Sequence, residues 1–205
     1  SKEEAFNILA KASVSKQERY NLLINEGYPS YTTSAGWLGY PDEKLRKLCV
    51  KAIKAGFTHV KFKVGRDLQD DIRRLKIARE VLGNQVQLMI DANQVWEVNQ
   101  AIEWVNKLQF ASPFFIEEPT SPDDVIGHKT IKNGVFPIKV ATGEMCQNRI
   151  IFKQFIKEDA VDIIQIDSCR MGGLNEVLAV MIMAEKYKKP VWPHAGGVGL
   201  CEYVQ

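Results

Sequence analysis

The sequence contains no apolar run near the roughly 20 residues that a membrane-spanning helix requires, and its opening Ser1-Lys2-Glu3-Glu4 reads as a helix start rather than a targeting segment. It also has no block of like charge. With 27 Lys and Arg against 25 Asp and Glu, the net charge is +2 and the basic residues are scattered, so neither a nucleic-acid nor a membrane partner is expected. The four cysteines, Cys49, Cys146, Cys169 and Cys201, stand far apart without metal-type pairing, which predicts free thiols in a reducing compartment, cytoplasmic or mitochondrial. No Gly-x-Gly-x-x-Gly turn follows the first predicted strand. The run Ala195-Gly196-Gly197-Val198-Gly199 lacks the Gly-Lys-Ser/Thr ending of a phosphate loop and reads as a tight turn. What remains is a globular, soluble chain of ordinary composition, 45% hydrophobic and 25% charged.

Against that background one stretch stands out. Val60-Lys61-Phe62-Lys63-Val64-Gly65 alternates apolar residues with lysines, so as a strand it points Val60, Phe62 and Val64 one way and two ammonium groups the other. Burying a charge without a partner costs several kcal/mol or shifts its pKa, so partners for both lysines are expected elsewhere in the chain.

A regular rhythm surrounds this strand. Residues 2–26 read as two short helices split near Ser13-Val14-Ser15, with Ser15 and Glu18 spaced as a capping box and Gly27 as the stop. Residues 31–37 are β-prone. The segment 42–55 is amphipathic, with Leu45, Leu48, Cys49, Ala52 and Ile53 at helical spacing. Helices at 68–82, 98–108, 123–132, 150–157 and 174–187 then alternate with strands at 86–91, 114–117, 138–144, 162–167 and 191–194. Alternation of this length specifies a parallel sheet covered by helices. Seven strands can be counted where a closed barrel needs eight, so the expected fold is α/β, an incomplete (β/α)8 TIM-type barrel. Residues 1–30 are expected as a helical linker or the remnant of a capping domain, and 31–205 as the partial barrel.

Each predicted strand after the first ends on an ionisable residue: Lys63, Asp91, Glu117, Glu144, Asp167 and His194 recur at intervals of 23 to 28 residues. In a barrel these would gather at the C-terminal mouth, where barrel enzymes keep their active sites. One acid ending a strand is commonly a helix cap; several in phase are not. Asp91, Glu117 and Glu144 offer three carboxylates of the kind that suits octahedral Mg2+ rather than zinc. Asn93 is placed to bond a ligand or a metal-bound water. Asp167 and His194 end adjacent strands and form an expected acid/base dyad. Glu118, beside Pro119, reads as a supporting or structural residue, and His59, His128 and Cys146 as structural.

Lys-x-Lys at Lys61-Phe62-Lys63, Asp91-Ala92-Asn93, Ile116-Glu117-Glu118-Pro119, Gly143-Glu144 and the Asp167/His194 pair together resemble the mandelate-racemase-like branch of the enolase superfamily. Within that branch, Tyr31-Thr32-Thr33-Ser34, Glu117-Glu118-Pro119-Thr120-Ser121-Pro122-Asp123-Asp124 and Pro193-His194-Ala195-Gly196-Gly197 are similar to the acid-sugar dehydratases that act on L-fuconate. The resemblance implies Mg2+ held by Asp91, Glu117 and Glu144, with Lys63 as the base for the proton beside the carboxylate. It also implies Lys61 as a second cation that contacts substrate with Asn93, and His194 with Asp167 as the acid for the departing 3-hydroxyl. The implied partner is a small acid sugar. A capping domain and an eighth strand, which the family carries, are expected to be missing from these 205 residues, so their activity is left open, as is assembly into a homo-oligomer. Two further readings stay open: a dehydratase or racemase for another acid sugar, and a non-catalytic binding or regulatory protein on a truncated barrel.

Overall fold

The structure, a computed structural model, describes residues 1–195. In chain order it comprises α1 (Lys2–Ser13), α2 (Lys16–Glu26), β1 (Thr32–Gly36), α3 (Asp42–Lys54), β2 (His59–Lys63), α4 (Leu68–Leu82) and β3 (Gln87–Asp91). There follow α5 (Val98–Leu108), β4 (Phe115–Glu117), α6 (Val125–Gly134), β5 (Lys139–Thr142), α7 (Arg149–Lys157), β6 (Ile163–Ile164) and α8 (Leu174–Lys186). The chain divides into two compact units: Ser30–Thr142 with Glu158–Asp162, and Ser1–Pro29 with Gly143–Lys157 and the chain from Ile163 onward. Among the described residues no helix is long and apolar enough to cross a membrane.

The first of these units is built on a parallel sheet in which β1, β2, β3, β4 and β5 lie in sequence order. Parallel strands need helical crossovers, and α3 to α6 supply them. Apolar residues on both faces are buried, as parallel sheets require: Val60, Phe62, Leu88, Ile90, Phe115, Ile116 and Val140 lose essentially all exposure. The registers place Lys63 beside Asp91 and Asp91 beside Glu117, so three strand ends finish at one level. The bounds of α4 and α5 are those predicted. In α3 the stripe is narrower than expected. Leu45, Cys49 and Ala52 are buried, whereas Ile53 remains 41% exposed.

In the second unit α1 and α2 break where the sequence places the break, but the capping box lies elsewhere. Ser15 has φ −94° and ψ 16°, not the extended conformation that lets a cap side chain reach back to the helix amides. Its Oγ instead accepts from the Arg19 guanidinium at 2.5 Å. The box forms at Ser1 and Glu4, where each side chain accepts from the other's backbone nitrogen. The predicted seventh strand is reduced to single bridges, Val191 to Ile164 and His194 to Asp167. Backbone bonds from Ile164 N to the Pro190 carbonyl, from Trp192 N to the Ile164 carbonyl and from His194 N to the Ile166 carbonyl join these segments. The glycines from Gly196 onward, expected as a turn, lie outside the described residues.

The buried sheet predicts a contrast between two apolar truncations. Phe115→Ala should lower unfolding free energy by about 3–5 kcal/mol. Ile126→Ala, at a site 61% exposed, should change it by no more than about 0.5 kcal/mol; urea denaturation measures both.

Candidate active site

The alternation of β2 sends Lys61 and Lys63 to the same side, and the registers bring Asp91 and Glu117 alongside. Lys61 is only 3% exposed; its Nζ donates to Glu117 Oε1 at 2.5 Å and lies 3.1 Å from Asp91 Oδ2. Lys63 Nζ donates to that same Asp91 Oδ2 at 2.5 Å. Two cations thus meet two fully buried carboxylates. Burial by itself would lower the Lys61 pKa, but the charges of Glu117 and Asp91 outweigh it and hold the ammonium above its ordinary value. Asp91 shows the converse: burial pushes it up, and Lys61 with Lys63 hold it below the usual carboxylate range.

The loop after β3 completes the frame. The backbone N–H of Asn93 donates to Asp91 Oδ1 at 2.9 Å, and the left-handed φ of 47° that this requires is tolerated by asparagine. Glu118, also at positive φ, accepts from Gln94 Nε2 at 2.8 Å and is buried. Two residues that the periodicity did not mark stand here as well. The Tyr31 hydroxyl accepts from Lys61 Nζ at 3.5 Å, and burial together with the charge of Glu117 pushes its pKa up to about 12, so it stays protonated. The Trp37 ring faces Lys63 Nζ at 5.8 Å. Neither carries a spacing signal, since both flank the short β1.

The other unit holds Glu144, Asp167 and His194. Glu144, expected to end its strand, lies beyond it, because β5 stops at Thr142 and Gly143 turns the chain. Gly143 has φ 140°, and a Cβ there would meet the Gln165 carbonyl at 2.6 Å, so only glycine allows this turn. His194 Nδ1 lies 2.7 Å from Asp167 Oδ2, and its Nε2 lies 3.2 Å from Glu144 Oε2. Asp167 is itself held by the backbone N–H groups of Cys169 and Arg170 on its Oδ1. The imidazole therefore has a carboxylate at each nitrogen. His59 bonds Thr58, the buried His128 bonds the Asp124 carbonyl, and Cys146 is buried.

Among the described residues no three His, Cys, Asp or Glu side chains are grouped to hold a metal ion. Asp91 Oδ2 and Glu117 Oε1 are engaged by lysine ammonium groups. In kind, these hard carboxylate oxygens suit Mg2+ or another hard divalent cation.

The profile of the enolase C-terminal domain-like family matches residues 44–205. The chain belongs to this family. The crystal structure of human mitochondrial enolase superfamily member 1 superposes with a TM-score of 0.95 at 53% identity, covering 98% of this chain and 46% of that one. L-galactonate dehydratase of Hypocrea jecorina is 54% identical over 99% of this chain and 46% of its own length. The crystal structure of L-talarate dehydratase from Polaromonas sp. JS666, complexed with Mg and L-glucarate, is 32% identical at a TM-score of 0.75, over 80% of this chain and 46% of that one. The chain therefore spans about half the length of the relatives it matches. The fold is the α/β barrel type of that family, as the motifs led one to expect.

The buried ion pairs predict that Lys61→Met, which leaves two buried carboxylates with one cation, costs about 3–5 kcal/mol of unfolding free energy. Adding Glu117→Gln to it should restore part of that loss, a coupling that a double-mutant cycle in urea would measure.

Proposed function

We propose that the protein acts as a Mg2+-dependent dehydratase of an acid sugar, L-fuconate, giving 2-keto-3-deoxy-L-fuconate. The observation that carries this reading is the buried charge quartet of Lys61, Lys63, Asp91 and Glu117 in a chain of the enolase family. Support for the substrate comes from the relatives' names: one is a dehydratase of L-galactonate, and L-fuconate is the same acid lacking the 6-hydroxyl. Support for the metal comes from the Mg and L-glucarate in the Polaromonas structure.

Asp91, Glu117 and Glu144 are assigned as the metal ligands. Bound there, Mg2+ would act as a Lewis acid on the substrate carboxylate, favouring loss of the neighbouring proton. Lys63 is assigned to take that proton from C2 at its Nζ. Lys61, anchored by Glu117, keeps positive charge beside the carboxylate, and Asn93 offers its amide to the substrate. The electron pair of the C2–H bond forms the C2=C3 double bond as the C3–O bond breaks. His194, whose ring Asp167 holds through Nδ1, gives a proton to the leaving hydroxyl, which departs as water. The enol left behind takes up a proton at C3, loses the proton of its C2 hydroxyl and becomes the 2-keto acid. The name of the human relative favours the mitochondrion among the compartments that free thiols allow.

The test uses the protein in its full natural length, with Mg2+ and a panel of acid sugars. L-Fuconate should yield a 2-keto acid, EDTA should stop the reaction, and Lys63→Ala should slow it by about 10²–10⁴-fold. No keto product from folded, Mg2+-loaded protein across the panel would sink the dehydratase reading. Substrate recovered with C2 inverted would replace it with a racemase.

A further inference from the structure

A second buried ion pair in the sheet-containing unit lies away from the strand ends. Asp71 and Arg74, on the first turns of α4, are both 0% exposed. A buried ion pair is commonly no more stable than a packed apolar pair of similar volume, so stability alone does not account for this one. Its hydrogen bonds suggest another role. Arg74 Nη1 donates to the Lys63 carbonyl at 2.7 Å, and Nη2 donates to the carbonyls of Gly36 at 2.7 Å and Trp37 at 3.1 Å. Asp71 Oδ2 accepts from the Gly65 backbone at 2.7 Å and from Trp104 Nε1 at 3.2 Å, while Oδ1 lies 3.3 Å from Arg74 Nη1.

These contacts fall where the sheet stops holding itself. β1 and β2 pair at Thr32 with Val60 and at Gly36 with Phe62, so the register slips before the strands end. β1 also presses so close to β2 that a Cβ at Gly36 would lie 2.3 Å from the Lys61 carbonyl. Beyond the slip, the carbonyls of Gly36, Trp37 and Lys63 turn to one guanidinium, which spans both strands as a single ammonium could not. Residues on both sides of the Lys63 side chain are thereby fixed: its own backbone with Gly65 on one side, and Trp37, whose ring faces its Nζ, on the other.

We infer that Arg74, braced by Asp71, is a positioning residue that sets the reach of Lys63 and the placement of Trp37 against it. In that role it touches no substrate. It determines where the Lys63 amine stands relative to a C2 proton, and a displacement of about 1 Å at such a centre costs up to about a hundredfold in rate. The catalytic part of this inference rests on the dehydratase reading; the placement of Lys63 does not.

The experiment compares Arg74→Met, Arg74→Lys and Asp71→Asn with a surface control, Arg73→Met, whose guanidinium pairs with Asp42 and Asp70 outside the cluster. Two readouts are taken on protein shown to unfold cooperatively. The first is the rate of reductive methylation at each lysine, followed by peptide mass spectrometry, which requires no turnover. Arg74→Met should raise labelling of Lys63 several-fold and leave the surface lysines unchanged. The second is steady-state turnover of the acid sugar: kcat should fall by about ten- to a hundredfold with KM within about twofold. Arg74→Lys should fall between wild type and Arg74→Met in both, and Arg73→Met should match wild type. If Arg74→Met does not fold, Asp71→Asn and Arg74→Lys decide by the same two measures. Unchanged Lys63 labelling in the folded variants overturns the inference, whatever the substrate. Changed labelling with kcat unaffected overturns its catalytic part, and absence of turnover in wild type overturns the dehydratase reading alone.

Discussion

The sheet-containing unit depends on a charge balance that cannot be relaxed at one position alone. Lys61 stands between Glu117 and Asp91, and Lys63 shares Asp91 with it. Each ion carries a desolvation cost of several kcal/mol, offset only because the partners lie within about 3 Å in a medium that screens them poorly. That proximity exists because β2, β3 and β4 run parallel and end in step. A one-residue slip would turn both lysines to the opposite face and leave the carboxylates unmatched. The cluster and the register therefore specify one another.

Around this balance the structure invests polar groups in holding backbone rather than in pairing charge. Asp91 receives the Asn93 amide on the oxygen that the lysines leave open, at the expense of a left-handed residue. Asp167 is held in the same way by the amides of Cys169 and Arg170. In both cases a carboxylate is oriented by backbone N–H groups from the loop that follows it, an arrangement with little conformational freedom left to lose on meeting a ligand. Glu118 binds a loop glutamine: it follows the last residue of β4 at a left-handed φ, so two adjacent glutamates, one ending the strand and one turning out of it, meet different partners.

What the sequence made legible follows from period. Strand ends spaced one βα unit apart marked Lys63, Asp91 and Glu117, and helical spacing located α4 and α5 to the residue. Where local chemistry competes with period, the reading went astray. Gly143 detaches Glu144 from the end of β5, and Ser15 resembles a cap without the backbone conformation to act as one. Arg74 marks the deeper limit. Beside it, Arg73 has the same side chain and the same helix, yet Arg73 is 42% exposed and Arg74 not at all. The difference is made by Gly36 and Trp37, 38 and 37 residues away, whose carbonyls run out of strand partners there. Tyr31 is hidden for the same reason, since its meaning lies in the Lys61 ammonium thirty residues on.

The partners of Asp91 bear directly on how a base could be released. Its Oδ1 is occupied by the Asn93 amide and its Oδ2 by both lysines, so a cation approaching this carboxylate competes with Lys61 and Lys63 for the same oxygen. The two lysines and two carboxylates are already neutral as a set, and a divalent cation would leave it with two excess positive charges at close range. An arriving substrate carboxylate offsets one of these, and departure of a proton from the cluster offsets the other. On the proposed function, the anion that is to react and the proton that must leave a lysine are therefore both favoured by the same local excess of charge. Metal affinity, substrate affinity and the supply of free amine are then linked through the Asp91 carboxylate.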